Sequence, residues 1–151
     1  MTQATETAIR KSILVEAPVE RAFEVFTRMI GNWWPLETHS IGLENAETAV
    51  IETRPGGRVY EIAHNGQESE WGTVTVWDPP RRVAFTWHPG RGVETAQEVD
   101  IRFSAEGGAT RVDLEHRGWE KLGDRMAEIV PQYDSGWDEV LGRRYAQAAA
   151  G

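Results

Sequence analysis

The stretch WEKLGDRMAEIVPQYDSGWDEVLGRRYAQAAA, Trp119 to Ala150, decides how the rest of the chain is read. On a wheel of 3.6 residues per turn, Leu122, Met126, Ile129, Val130, Tyr133, Trp137, Val140 and Leu141 fall on one stripe. Asp124, Glu128, Ser135, Asp138 and Gly142 fall opposite. That spacing predicts an amphipathic helix, or two in register. Pro131 lies inside the stripe; without an N–H, and with a ring that crowds the preceding turn, it is expected to kink the helix or to open a second one. The stripe carries a Tyr, a Trp and, at its far end, Arg144, where plain packing is satisfied by Leu and Ile. What this face covers therefore bears on function.

Upstream, the pattern is almost entirely β. Ile9 to Val15 alternates imperfectly and reads as a first strand, stopped by Ala17-Pro18. Ala22, Phe23, Val25 and Phe26 make a short apolar helical face from Val19 to about Arg28, and a second helical piece runs from Met29 to Trp34, ended by Pro35. Pro35 to Glu47 shows neither period and reads as a loop. Strands then follow at 48–53, 58–64, 68–78, 82–88, around Val99-Ile101-Phe103 and around Val112-Leu114-His116. The turns between them include Pro55-Gly56-Gly57, Asn65-Gly66, Pro79-Pro80, Pro89-Gly90 and Gly107-Gly108. Seven strands, six of them consecutive, make an antiparallel meander with one apolar and one charged face. The single long helix is the available cover, so an α+β fold is expected in which a curved sheet grips that helix and a space remains between them.

At 151 residues the chain is expected to be one domain, spanning 1–151. The formal net charge of −8, with carboxylates spread along the chain, argues against nucleic acid and anionic membranes as partners. No cysteine is present, which removes disulfides and thiolate chemistry. Met1 to Thr7 is polar and lacks a signal-peptide core, and no apolar run approaches a membrane span, so a cytoplasmic location is expected. Seven Trp residues are the unusual total.

The element order resembles the helix-grip fold of the SRPBCC superfamily, the START and Bet v 1-like proteins. Within it the chain is similar to the group named for the activator of Hsp90 ATPase. The resemblance rests on Ala17-Pro18-Val19-Glu20-Arg21-Ala22-Phe23, Trp33-Trp34-Pro35, Pro55-Gly56-Gly57-Arg58, Glu70-Trp71-Gly72-Thr73-Val74, Asp78 through Trp87, and Gly136-Trp137 with Val140-Leu141. It implies a cavity under the long helix that in many relatives takes small or lipid-like hydrophobic molecules, and in a few serves polyketide cyclases or aromatases. It also implies that Hsp90 regulation belongs to members carrying a second, N-terminal domain; that domain is not in this sequence, so an Hsp90-type partner is not expected. Relatives form dimers by various surfaces, which leaves a homodimer open.

Trp71, Trp87 and Trp137 are candidates for the cavity wall, although bulky aromatics at such positions also serve as core. Trp33 and Trp34 are adjacent and are not expected to point inward together; one is assigned to the cavity mouth and the other to the core. His116 shares the face of Val112 and Leu114 and should point inward, as a hydrogen-bonded core residue or a ligand contact. His39, with Thr38 and Ser40, offers a polar patch at the mouth, and Tyr133 a hydroxyl. Glu61 and Glu70 are ambiguous in face, and an inward carboxylate is a candidate general base. The four His match no metal spacing, and no cofactor motif, phosphate loop or nucleophile elbow is present. The expected function is binding of a small hydrophobic or aromatic molecule. A cyclase or hydrolase using the same cavity is the second reading, and a protein-interaction module with a filled core is the third.

Overall fold

The computed structural model describes residues 8–151. The polar opening segment, residues 1–7, read above as lacking a signal-peptide core, lies outside the described residues. The strands are β1 (Ile9–Val15), β2 (Ala46–Ile51), β3 (Arg58–Ala63), β4 (Glu68–Asp78), β5 (Arg82–Trp87), β6 (Gln97–Glu106) and β7 (Ala109–Arg117). They form one antiparallel sheet in the order β1-β7-β6-β5-β4-β3-β2. Consecutive strands pair through short turns, as the meander requires, and β1 closes onto the last strand.

The sheet bends where an extra residue interrupts the ladder. Glu47 is the extra residue between β2 and β3, Trp71 between β3 and β4, and Thr75 between β4 and β5. Each bulge sharpens the local twist and redirects a side chain, so the β2–β5 half curls over the concave face. Close to the Trp71 bulge, β4 and β5 approach so tightly that a Cβ built on Gly72 would stand 1.7 Å from the Thr86 carbonyl oxygen. Glycine is required there by the space.

Two short helices, α1 (Val19–Thr27) and α2 (Ile30–Trp33), follow β1. The buried face of α1 is Ala22, Phe23, Val25 and Phe26, as its spacing predicts, and Thr27 joins it by turning its hydroxyl back to the Phe23 carbonyl at 2.7 Å. The terminal segment begins with 3₁₀ turns over Trp119–Arg125, interrupted at Gly123 (φ 59°, ψ −129°), and continues as α3 (Met126–Glu139). Pro131 does not open a second helix, one of the two outcomes expected of it; it lies inside α3. It sits on the exposed side of the second turn of α3, where the carbonyl it leaves without a partner, on exposed Ala127, remains open to solvent. The break falls eight residues earlier, at Gly123.

Beyond α3 the helix widens to a π segment, Val140–Tyr145, before α4 (Ala146–Ala150). The extra residue per turn brings Val140, Leu141 and Tyr145 onto one buried side. Tyr145 is fully buried, donates its hydroxyl to the Ala22 carbonyl at 2.6 Å, and packs on Phe26 and Trp33 at ring separations of 5.2 and 5.3 Å. Phe23 and Phe103 extend this cluster. The space under the last turns of the terminal segment is thus filled by aromatic rings, while under α3 the rings leave a cavity. Lys11 on β1 ties down the far side of α3 through Asp134 and Asp138 at 3.1 and 2.9 Å.

The outer face of the sheet carries a charge network centred on Asp100, which is 3% exposed despite lying on the side expected to be wet. Arg82 grips it with two hydrogen bonds of 3.0 and 2.8 Å, and Arg102 and Arg117 stand beside it. Arg82 above all holds the Asp100 carboxyl below the usual carboxylate range, against the opposing effect of burial. No helix among the described residues is long and apolar enough to cross a membrane.

Candidate functional site

Four indoles meet between α3 and the sheet. Trp34 follows α2, Trp71 stands at the β4 bulge, Trp87 ends β5 and Trp137 descends from α3. Trp34 lies 5.2 Å from Trp71, 5.9 Å from Trp87 and 6.0 Å from Trp137, and Trp87 lies 5.4 Å from Trp71 and 6.1 Å from Trp137. None of the pairs is a parallel sandwich; all are tilted or edge-on, the arrangements the ring quadrupole favours. Each buried indole removes roughly 150–250 Å² from water, on the order of 4–6 kcal/mol before the entropy of ordering it.

Above this floor lies a cavity of about 600 Å³. Its walls are the first two turns of α3 with Tyr133 and Gly136, the loop Thr38–Ile41 and the turn Pro89–Arg91. The loop is held by buried polar groups. The Glu61 carboxylate, 2% exposed, accepts the Ile41 and Gly42 N–H groups at 2.7 Å each and the Trp71 indole N–H at 2.6 Å. Ser40 donates to the Leu36 carbonyl at 2.6 Å and accepts the Leu43 N–H at 2.8 Å, and the Trp34 indole donates to the His39 carbonyl at 2.7 Å. With its lone pairs committed to three donors, Glu61 is an anchor for the loop and the floor rather than a free base. Glu70 points outward, 3.4 Å from His88 Nε2.

His116 lies behind the floor and is fully buried. The Trp137 indole can only donate, so His116 Nδ1 accepts it at 3.0 Å and the ring proton resides on Nε2, facing Gln97 Oε1 at 3.2 Å. Burial first, and the nearby Arg91 cation second, push its pKa down to about 3. It is a neutral hydrogen-bond bridge, stacked on Trp119 at 4.1 Å.

Arg91 is set by the turn before it. The Arg91 N–H closes on the His88 carbonyl at 2.9 Å across Pro89 and Gly90, and Gly90 adopts φ 73°, which a side chain there would resist. His88 Nδ1 faces the Arg91 carbonyl at 3.1 Å. The guanidinium reaches Gln97 Oε1 through Nη2 at 3.4 Å, while its buried Nε finds no acceptor among the described residues.

Of the residues expected to form the site, Trp34, His39, Trp71, Trp87, Tyr133 and Trp137 line the cavity together. Tyr133 accepts the Trp87 indole N–H at 3.3 Å, and His39 Nδ1 lies 2.7 Å from Thr38 Oγ1. Trp33 and His116 do not line it. Trp33 donates to the Val25 carbonyl at 2.7 Å inside the aromatic cluster around Tyr145. Trp33 and Trp34 are both buried, contrary to the expectation that neighbours do not point inward together, although they divide as expected, Trp34 lining the cavity and Trp33 packing in the core. The chain leaves helical geometry at Trp34 (ψ 131°), so consecutive side chains enter the interior from two directions. Arg91, Arg125, Glu128 and Gln132 also line the cavity and were not anticipated. For Arg91 the signal was the Pro-Gly pair ahead of it, which fixes a turn and hence the direction of the next residue. Arg144 pairs with Glu139 at 3.1 Å and takes no part.

A curved seven-stranded sheet that grips a terminal helix and keeps a cavity of ligand size beneath it defines a helix-grip protein of the SRPBCC superfamily. The family is specific: residues 16–149 match the model of the activator of Hsp90 ATPase homolog 1-like proteins, and the chain belongs to that family. Among solved structures, it is similar to the anthrahydroquino-gamma-pyrone synthase Txn09, with 32% identity over 93% of this chain and 96% of that one, TM-score 0.64. It is also similar to CalC from Micromonospora echinospora, described as a self-sacrificing resistance protein, with 26% identity over 94% and 93% of the two chains, TM-score 0.70. A Bacillus halodurans protein, 22% identical over 99% of both chains with TM-score 0.66, shares the fold. No curated protein matches the chain.

Proposed function

We propose that this chain, acting as one domain, binds a planar aromatic small molecule in the cavity under α3. The observation that carries the reading is the indole floor of Trp34, Trp71, Trp87 and Trp137 beneath about 600 Å³ of space rimmed by polar groups. That volume falls within the usual range of small-molecule sites, and tilted aromatic faces suit a flat ring system. The synthase Txn09, 32% identical, is named for a fused aromatic product, which supports the same ligand class. Its name also favours a second reading, in which the cavity catalyses a ring closure. In that reading His39, with Nδ1 beside Thr38 Oγ1, is the group placed to move a proton at the mouth. An interaction module would need no such cavity.

The test is titration of the protein with tricyclic aromatics such as anthracene and anthraquinone derivatives, read by tryptophan fluorescence and thermal shift. Saturable quenching with a raised melting temperature supports the proposal, and Trp87→Ala, checked for folding, should weaken it. A flat response across the panel would overturn it.

A further inference from the structure

We propose that Arg91 anchors an anionic oxygen of the ligand, a carboxylate or ionised phenol carried on the aromatic skeleton. This rests on the cavity reading above and narrows it to a charge class. The chain has 24 acidic and 16 basic residues, and most of its cations pair with carboxylates; among the described residues Arg21, Arg28, Arg91 and Lys121 do not, and of these four Arg91 lines the cavity. Arg58, Arg82 and Arg117 each pair with acidic side chains, as the excess predicts. Among the described residues, no carboxylate lies within ion-pair distance of Arg91. Its one side-chain partner is the neutral Gln97, at a long 3.4 Å, and its Nε is withdrawn from solvent with no acceptor among the described residues.

Arg91 lines the cavity, and a planar donor fork held there by a single long bond to a neutral amide suits an anionic oxygen better than any neutral group. The site is also preorganised. The turn from His88 to Arg91 is closed by its own backbone hydrogen bond, and the His88 N–H is fastened to the Trp71 carbonyl at 2.7 Å. The guanidinium is therefore presented by a fixed support. Gln97 Oε1 faces both Arg91 and His116, and His116 accepts the Trp137 indole, so the anchor is joined to the floor by a continuous chain of hydrogen bonds. Arg125 also lines the cavity, but it has Glu128 at 3.7 Å.

The probes are 9-anthracenecarboxylate and its neutral counterpart 9-anthracenemethanol, titrated at neutral pH and fixed ionic strength against wild type, Arg91→Gln, Arg91→Lys and Arg125→Gln. Wild type should bind the acid at least about tenfold more tightly than the alcohol, the size expected of a charge-assisted hydrogen bond in a desolvated site. In Arg91→Gln the ratio should fall to about one, whereas in Arg125→Gln, whose cation already faces Glu128, it should fall by less. If Arg91→Gln does not fold, Arg91→Lys decides: loss of the fork should lower the ratio by about threefold or more, and an unchanged ratio overturns the proposal. A ratio near one in wild type, a ratio that survives Arg91→Gln, or one lost only in Arg125→Gln also overturns it. If the alcohol binds and the acid gains nothing, the anchor alone fails. If neither binds, the cavity reading fails and the anchor with it.

Discussion

Replacing Glu61 should detach the loop that walls the cavity. Its carboxylate collects three donors, from Ile41, Gly42 and the Trp71 indole, at 2.6 to 2.7 Å. Hydrogen bonds to a charged group contribute about 1.5–3 kcal/mol each, and a buried donor left bare costs a comparable amount. Against that sum stands the penalty of keeping a carboxylate out of water, several kcal/mol. The expected net loss for Glu61→Ala is therefore about 3–5 kcal/mol. In Glu61→Gln, an amide oxygen at the Oε1 position keeps the Ile41 and Trp71 bonds, and the Gly42 N–H faces an amide nitrogen, so the loss should be about 1.5–3 kcal/mol. For a chain of this size each kcal/mol lowers the melting temperature by about 2–4 °C. The assay is urea denaturation of the three proteins with amide exchange at Ile41 and Gly42. The expected order is wild type, Gln, Ala, with exchange at those two amides accelerated beyond the global change. An alanine variant within about 1 kcal/mol of wild type, or unaltered exchange at both amides, would refute the anchoring role.

His116 should impose a pH dependence of known sign. Burial holds its folded pKa down at about 3, below the ordinary imidazole value of 6.5, so as pH falls between these values the unfolded chain gains a proton that the folded chain refuses. Stability should decline across that window by up to about 1.4 kcal/mol per pH unit and level off below it, and His116→Asn should flatten that slope. Nitrogen NMR should show a neutral ring protonated on Nε2 at about pH 5; a ring that titrates near its ordinary value would contradict the buried bridge. Gly72→Ala places a Cβ 1.7 Å from the Thr86 carbonyl oxygen, so β4 and β5 must part. The expected cost is about 3 kcal/mol or more, measured by thermal melting, and a melt unchanged from wild type would mean that the strands do not approach so closely.

Strand positions were legible because alternation records which face is buried: Val112, Leu114 and His116 are inward on β7 as their period requires. Alternation fails at bulges, which insert a residue without any marker in the sequence. At the β4 bulge Trp71 is the unmarked extra residue; Glu61 was illegible for another reason, since Tyr60 and Ile62 on one face of β3 and Val59 and Ala63 on the other are all apolar, although its inward position next to Trp71 organises the loop. Helix periodicity located the stripe from Leu122 to Leu141 but left out Tyr145, because a π segment shifts the phase by one residue. Pro131 suggested a break that the exposed side of α3 accommodates, whereas Gly123, less conspicuous, makes one. Within the site, the aromatic residues announced themselves by size. Arg91 did not, because its meaning lies in the partner it lacks.

The position of β1 has a consequence for how the chain is made. Ile9 pairs with His116 and Val15 with Thr110, so β1 leaves the ribosome with its neighbour about a hundred residues downstream. At roughly 5–20 residues per second, that partner arrives about 5–20 s later. The hairpins from β2 to β6 can zip as they emerge, since each strand lies next to its predecessor. Throughout that interval Ile9, Val15 and the phenylalanines of α1 have no finished surface on which to dock. Joining β1 to β7 is thus the last strand pairing of the sheet to form, and a polypeptide cut short before Arg117 would carry an apolar leading strand with nowhere to go.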